Sequence, residues 1–291
     1  MPDAPLFTFR VHRSTIVMFL VIGTLAAAAI WDLGRRPRST GPATARAERA
    51  PVQSAYEMEF FRKKYGPEHQ TEREEEWMIR DYFNERRGGV FVDVGANHYR
   101  ATSKTYYLET KLGWSGIAVE PQREFAADYA KHRPRTKLLP FFVSDSSNDT
   151  ARLYIIRNMS PVASSDEAFV RRFGKPDEVR EVPTITLTDL LAAERVDRID
   201  FLSMDIELHE PQALKGFDIQ RFKPSLVCIE ALLPVRQQIL NYFAAHGYVL
   251  VGKYVWVDLE NLYFAPLDTI VTSFGGQEIT NRRSEDKEKS N

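Results

Sequence analysis

Apolar positions fall into four regimes along the chain. Residues Ser14 to Trp31 run for 18 positions without a charge. As a helix this stretch spans about 27 Å, close to one hydrocarbon core. It predicts a transmembrane helix over 14–31, behind an N-terminal tail of 1–13. A cleaved signal with small residues at Ala26 to Ala29, or a buried core helix, are the alternatives. Arg35, Arg36 and Arg38 after the span outnumber Arg10 and Arg13 before it, which places the C-terminal domain on the cytoplasmic side. Residues 32–53, rich in Arg, Ala, Pro, Thr and Gly, read as a linker facing solvent or anionic lipid headgroups.

The second regime, 54–89, is a helical lead-in. Glu57–Tyr65 and Glu68–Arg87 have helical periodicity, with Trp77, Met78, Tyr82 and Phe83 on one face and Gly88-Gly89 as the stop. The third regime, 90–270, alternates. Strand-like runs are Val90–Val94, Ile117–Glu120, Lys137–Val143, Arg152–Ile156, Ile199–Met204, Ser225–Ile229, Val249–Val251 and Leu262–Ala265. Helix-like runs are Ser103–Leu112, Glu124–His132, Leu187–Arg195, Pro211–Gly216 and Val235–His246. Strands alternating with helices of this length predict an α/β doubly wound sheet. Residues 157–181 match neither period and read as an insertion, either a cap or a long surface loop. The last regime, 271–291, is a polar tail.

Four strand-like runs end in a carboxylate: Asp93, Glu120, Asp145 and Asp205. Ligands of open α/β sheets bind beyond the carboxyl ends of the strands, so these acids mark the edge where function is expected. Gly95 after the first run allows close backbone approach. Glu120 after the second suits two ribose hydroxyls, and Asp145 after the third suits an exocyclic amine. This spacing fits nucleotide cofactors generally. Residues 95–100 read G-A-N-H-Y-R, which is not the dinucleotide fingerprint.

Composition narrows the picture further. Of 291 residues, 43% are hydrophobic and 27% charged, with a net charge of −1, so a general nucleic-acid binder is disfavoured. One cysteine, Cys228, excludes an intramolecular disulfide and lies in the strand-like run Leu226-Val-Cys-Ile-Glu230, as a buried thiol would. No CxxC or HExxH pattern points to a metal.

Several blocks in order carry a family resemblance. They are Val90-Phe-Val-Asp-Val-Gly-Ala-Asn97, Ser103-Lys-Thr-Tyr-Tyr-Leu-Glu109, Leu112-Gly-Trp-Ser-Gly-Ile-Ala-Val-Glu-Pro121, Val143-Ser-Asp145, Phe201-Leu-Ser-Met-Asp-Ile-Glu207 and Glu210-Pro-Gln-Ala-Leu-Lys-Gly216. Together they resemble FkbM-type methyltransferases over about residues 75–265. The resemblance implies a class I, Rossmann-like, mostly parallel seven-stranded sheet with helices on both faces, and S-adenosylmethionine as cofactor. It implies that Asp93, Gly95, Ala96 and Asn97 line the cofactor, that Glu120 holds its ribose and Asp145 its adenine. Asp205, Glu207 and His209 then face the transfer site. The family pattern commonly has an acid and a glycine where this chain has His98 and Tyr99, and a small residue where it has His209. His209 reads as a general base or as a surface histidine at a helix start.

Two functions remain open at this point. One is a membrane-anchored methyltransferase acting on a hydroxyl of a small molecule or glycan. The other is a degenerate methyltransferase fold serving as an accessory subunit of a membrane protein complex, motivated by Tyr99 and the 157–181 insertion.

Overall fold

The protein is described here by a computed structural model that covers residues 50–269. The expected tail 1–13, transmembrane helix 14–31, most of the linker 32–53, and the tail 271–291 lie outside the described residues. Among the described residues no helix is long and apolar enough to cross a membrane.

Two helices lead in: α1 (Ala50–Tyr65) and α2 (Glu75–Phe83). The end of the expected linker is therefore helical. Glu68–Arg87, expected as one helix, shortens at both ends. At its start, Glu76 accepts from the Gln70 amide and Glu75 from the Arg73 amide, so side chains take amide hydrogens that a helix would use. At its end, Asn84 turns left-handed (φ 48°), four residues before the glycine pair.

The alternating region follows as β1 (Val90–Val94), α3 (Tyr106–Thr110), β2 (Ser115–Val119), α4 (Ala126–His132), β3 (Thr136–Leu139), β4 (Phe142–Ser144) and β5 (Thr150–Ile155). After these come α5 (Glu167–Val170), β6 (Glu178–Thr186), α6 (Leu187–Ala193), β7 (Phe201–Met204), α7 (Glu210–Lys215), α8 (Ile219–Phe222), β8 (Leu226–Glu230), α9 (Leu233–Ala245), β9 (Tyr248–Leu250) and β10 (Asn261–Pro266).

Seven strands form the main sheet in the order β3-β2-β1-β7-β8-β10-β9. All contiguous pairs from β3 to β8 are parallel, while β10 is antiparallel to both its neighbours. The order reverses between β1 and β7, and that switch point is where such a sheet opens to a ligand. Strand residues alternate between two cores. Val92, Val94, Leu202, Met204, Val227 and Ile229 join the core under α6, α7 and α9. Phe91, Phe201, Leu226 and Cys228 join Trp77, Met78, Phe83 and Trp114 on the other face. A parallel sheet covered on both faces explains why these strands read as near-continuous apolar runs. Asp81 ties the lead-in down, accepting from Lys64, Tyr65, Lys253 and Tyr254.

Lys137–Val143, expected as one strand, divides into β3 and β4. Pro140 has no amide hydrogen to continue the ladder, and Phe141 donates instead to the Leu139 carbonyl in a tight turn. β4 then leaves the main sheet for a separate three-stranded sheet, β4-β6-β5. Residues 157–181 are not a plain loop. They hold a short 3-10 turn at Ser160–Val162, α5 and the start of β6, and bury Val162, Phe169 and Val170. The charged Glu178, Arg180 and Glu181 hide the strand period of β6 in the sequence.

One buried ion pair organises the loop after β1. Arg133 has no exposed surface and its Nε donates to Glu109 on α3. Its remaining hydrogens reach the Tyr99 and Thr105 carbonyls and the Ser103, Thr105 and Thr136 hydroxyls at 2.9–3.4 Å. Replacing Arg133 by Met strands the Glu109 carboxylate in the interior. The expected loss is about 3–5 kcal/mol of stability by urea unfolding. The double variant Arg133→Met/Glu109→Leu is expected to recover most of it.

Candidate functional site

Three of the four acid-ended runs meet at the C-terminal edge of the main sheet, around the switch point. Gly95 follows β1 with φ 80°. A Cβ there would sit 1.8 Å from the Asp205 carbonyl oxygen. The loops after β1 and β7 therefore touch backbone to backbone, as only glycine permits. The Asp205 amide donates to the Val94 carbonyl and the Gly95 and Ala96 amides to Val119, so three adjacent strand ends are stitched together.

Glu120 follows β2 and is buried. Its carboxylate accepts the Asn97 amide at 3.0 Å and the Gln122 amide at 2.9 Å. Burial pushes it up to about 7, against the pull of those two amides. The insertion leans over this point, since Ser160 donates to Asn97 Oδ1 and accepts from Gln122 Nε2, both at 3.3 Å. Asp93 lies within β1, and its Oδ2 accepts the Thr105 hydroxyl at 2.8 Å. Burial raises it.

Asp205, after β7, pairs with Lys104 Nζ at 2.8 Å. Lys104 is buried and also donates to Asn261 Oδ1 on β10 at 3.2 Å. Glu207 stands two residues on in a loop where it and Leu208 both have positive φ, at 55° and 75°. Its carbonyl accepts the Ser164 hydroxyl of the insertion at 2.7 Å. Glu230, at the end of β8, belongs to the same group of acids, with oxygens of Asp205, Glu207 and Glu230 within 4.8 Å of one another.

Asp145 is placed elsewhere. It ends β4, in the small sheet, and is exposed. Ser144 donates to it at 3.3 Å, and its charge bears on His209. His209 itself caps α7 and bridges the small sheet to the insertion. Nε2 meets Ser144 Oγ at 3.1 Å, Nδ1 meets Ser165 Oγ at 3.2 Å, and the ring packs 4.7 Å from Phe142. Burial lowers it to about 4, against Asp145, so the ring is neutral near pH 7 with both nitrogens occupied. That is the geometry of a clip rather than of a free base.

His98 and Tyr99 take the place of the expected acid and glycine without distorting the loop. Positive φ falls on Asn97 (46°) and not on Tyr99, so no glycine is needed there. The Tyr99 ring stacks on His132 at 4.6 Å, and His98 Nδ1 accepts the Arg100 and Ala101 amides. Lys104 and Glu230 escaped the sequence reading. Lys104 lies inside the quoted Ser103-Lys-Thr block, and Glu230 is a fifth acid ending an apolar strand.

Strand order and edge chemistry together define an α/β, class I methyltransferase-like fold. The chain belongs to the FkbM methyltransferase domain family, which matches residues 93–250. That membership implies S-adenosylmethionine as methyl donor. Among solved structures, the chain is similar to a precorrin-6y C5,15-methyltransferase from Geobacter metallireducens, at 11% identity and TM-score 0.32, covering 60% of this chain and 70% of that one. It is also similar to a methyltransferase from Geobacter sulfurreducens, at 11% identity and TM-score 0.37, covering 83% and 98%. The assignment rests on the family match. No curated protein matches the chain.

Gly95→Ala is expected to part the two loops, because its Cβ overlaps the Asp205 carbonyl. Hydrogen exchange at the Asp205 amide is the measurement, and protection there should fall by at least about tenfold while the α9 core stays protected.

Proposed function

We propose that this protein is a membrane-anchored methyltransferase that methylates a hydroxyl of a small molecule or glycan. The observation that carries the reading is Glu120, a buried acid at the end of β2 with no cationic partner among its hydrogen bonds, set beside the glycine crossing of β1 and β7. Its two amide bonds leave lone pairs for a diol, and its raised pKa is the cost of burying a carboxylate that a ligand can offset. The residues present fit a ribose-bearing cofactor at this point.

S-adenosylmethionine supplies an electrophilic methyl group when bound. Glu120 would hold its ribose hydroxyls, and Gly95, Ala96 and Asn97 would line it, with Asp93 bonded to Thr105 behind them. Asp205, oriented by Lys104, would accept the hydrogen bond of the acceptor hydroxyl and take its one proton, with Glu207 beside it helping to position the acceptor. His209 supports them by holding the first turn of α7 against Ser144 and Ser165. Most of the rate advantage then comes from positioning. The charge-free stretch 14–31 supports the anchor, with the methyltransferase domain on the cytoplasmic side.

Ribose hydroxyls donate to the ionised form of Glu120, so binding favours loss of its proton. Affinity for S-adenosylmethionine is expected to rise between pH 6 and pH 8, through the group's value of about 7, with proton release on binding. Calorimetric titration in buffers of different ionisation enthalpy measures both. In Glu120→Gln, binding at pH 8 is expected to weaken by about 10- to 100-fold and the proton release to vanish. Unchanged binding in that variant would overturn the reading.

A further inference from the structure

Three carboxylates converge beyond the ends of β7 and β8. One oxygen each from Asp205, Glu207 and Glu230 lies within 4.8 Å of the others. Two oxygens bound at about 2.4 Å to one ion stand at most about 4.8 Å apart, so this spacing accommodates a single hard cation. The ammonium of Lys104, 2.8 Å from Asp205 Oδ2, faces the same group. Lys104 is one ammonium facing three carboxylates, so acids outnumber bases in the group, an imbalance that a bound cation relieves.

A second observation comes from behind the cluster. Glu210 is fully buried. Its Oε1 accepts the Ile206 amide at 3.0 Å, but its Oε2 has no hydrogen-bond partner. Glu230 Oε2 is buried and equally without a partner. Such oxygens are expensive in an interior unless something positive meets them. The bond to the Ile206 amide sets the Glu210 carboxylate against the loop that bears Asp205 and Glu207. Unpartnered oxygens are thus gathered where the carboxylates are best spaced for an ion.

From this arrangement we infer that Asp205, Glu207 and Glu230 bind one divalent cation of the oxygen-preferring class, Mg²⁺, Mn²⁺ or Ca²⁺. The donor set is all oxygen, with neither His nor Cys in the group, which selects against zinc-type ions. Lys104 and Asn261 hold Asp205 and the start of β10 in place beside the ion. Its role in the reaction rests on the methyl-transfer reading above, since a cation there lowers the pKa of a coordinated acceptor hydroxyl. Cation binding itself does not depend on that reading.

The test is a Mn²⁺ titration of the full chain, followed by the electron paramagnetic resonance signal of free Mn²⁺. One Mn²⁺ is expected per chain, displaced by added Mg²⁺. In Glu230→Gln, and separately in Asp205→Asn, affinity is expected to fall at least about tenfold, with circular dichroism and thermal unfolding confirming that each variant is folded. S-adenosylmethionine binding, measured on the same samples, reports on the cofactor separately. Mn²⁺ bound without S-adenosylmethionine would keep the ion site and remove the methyl-transfer reading. A folded wild-type protein that leaves Mn²⁺ free at millimolar concentration would overturn the inference, as would Mn²⁺ binding unchanged in both variants. So would a Glu230→Gln variant that loses S-adenosylmethionine while neither protein binds Mn²⁺, because the acids would then be receiving the cofactor's own ammonium group.

Discussion

A guanidinium with no route to water fixes the shape of the sheet's working edge. Arg133 reaches side chains and carbonyls on the β1–α3 connection, on α3 and at the start of β3. A charge at that depth is tolerable only while its hydrogen-bond partners all stay in place. The connection from Asn97 to Thr105 therefore has little freedom to vary. It carries the Asn97 amide that meets Glu120, the Thr105 hydroxyl that meets Asp93, and the Lys104 ammonium that meets Asp205. Three separate features of the candidate site thus take their positions from one internal pair.

The edge treats its acids unequally, and the inequality is chemically useful. Asp93 is met by a hydroxyl, Glu120 by two backbone amides and Asp205 by an ammonium. Glu230 and Glu210 each keep a buried oxygen with no donor. Partnered groups hold geometry, whereas under-partnered ones store electrostatic free energy that a ligand can release. Asp93 and Glu120, at β1 and β2, are satisfied, whereas past β7 and β8 a partnered Asp205 stands among under-partnered acids.

Much of the main sheet was legible because both its faces are covered, which gives β1, β2, β7 and β8 dense apolar runs with an acid at or just past each end. The same rule pointed to Asp93, Gly95, Glu120 and Asp205 as one edge. It misplaced Asp145, because nothing in Lys137–Val143 except Pro140 announces that the chain changes sheets midway. β6 was hidden because three of its first four residues are charged, its Val179 is exposed, and only Val182 and Thr184 are buried within it. Lys104 was illegible for a different reason. A lysine reads as surface unless the acceptors that surround it are known, and those come from residues about 100 and 157 positions away, Asp205 and Asn261. His209 read as a base or as a surface histidine at a helix start. The two serines that occupy its nitrogens sit 65 and 44 residues off, beyond any local pattern.

The two-residue joint between β3 and β4 gives the small sheet a mechanical character. A flap on a long tether moves without consequence for the body that carries it. Here the joint is short, the Ser144 carbonyl lies so close to Gly216 that a Cβ there would be 2.4 Å away, and His209 pins Ser144 to the head of α7. The connection from β5 to α5 closes on the same point, since Ser164 donates to the Glu207 carbonyl and Ser165 meets His209. The three-stranded unit is therefore clamped to the head of α7 from both ends, and a displacement of its β5–α5 connection is felt directly by the loop that bears Glu207.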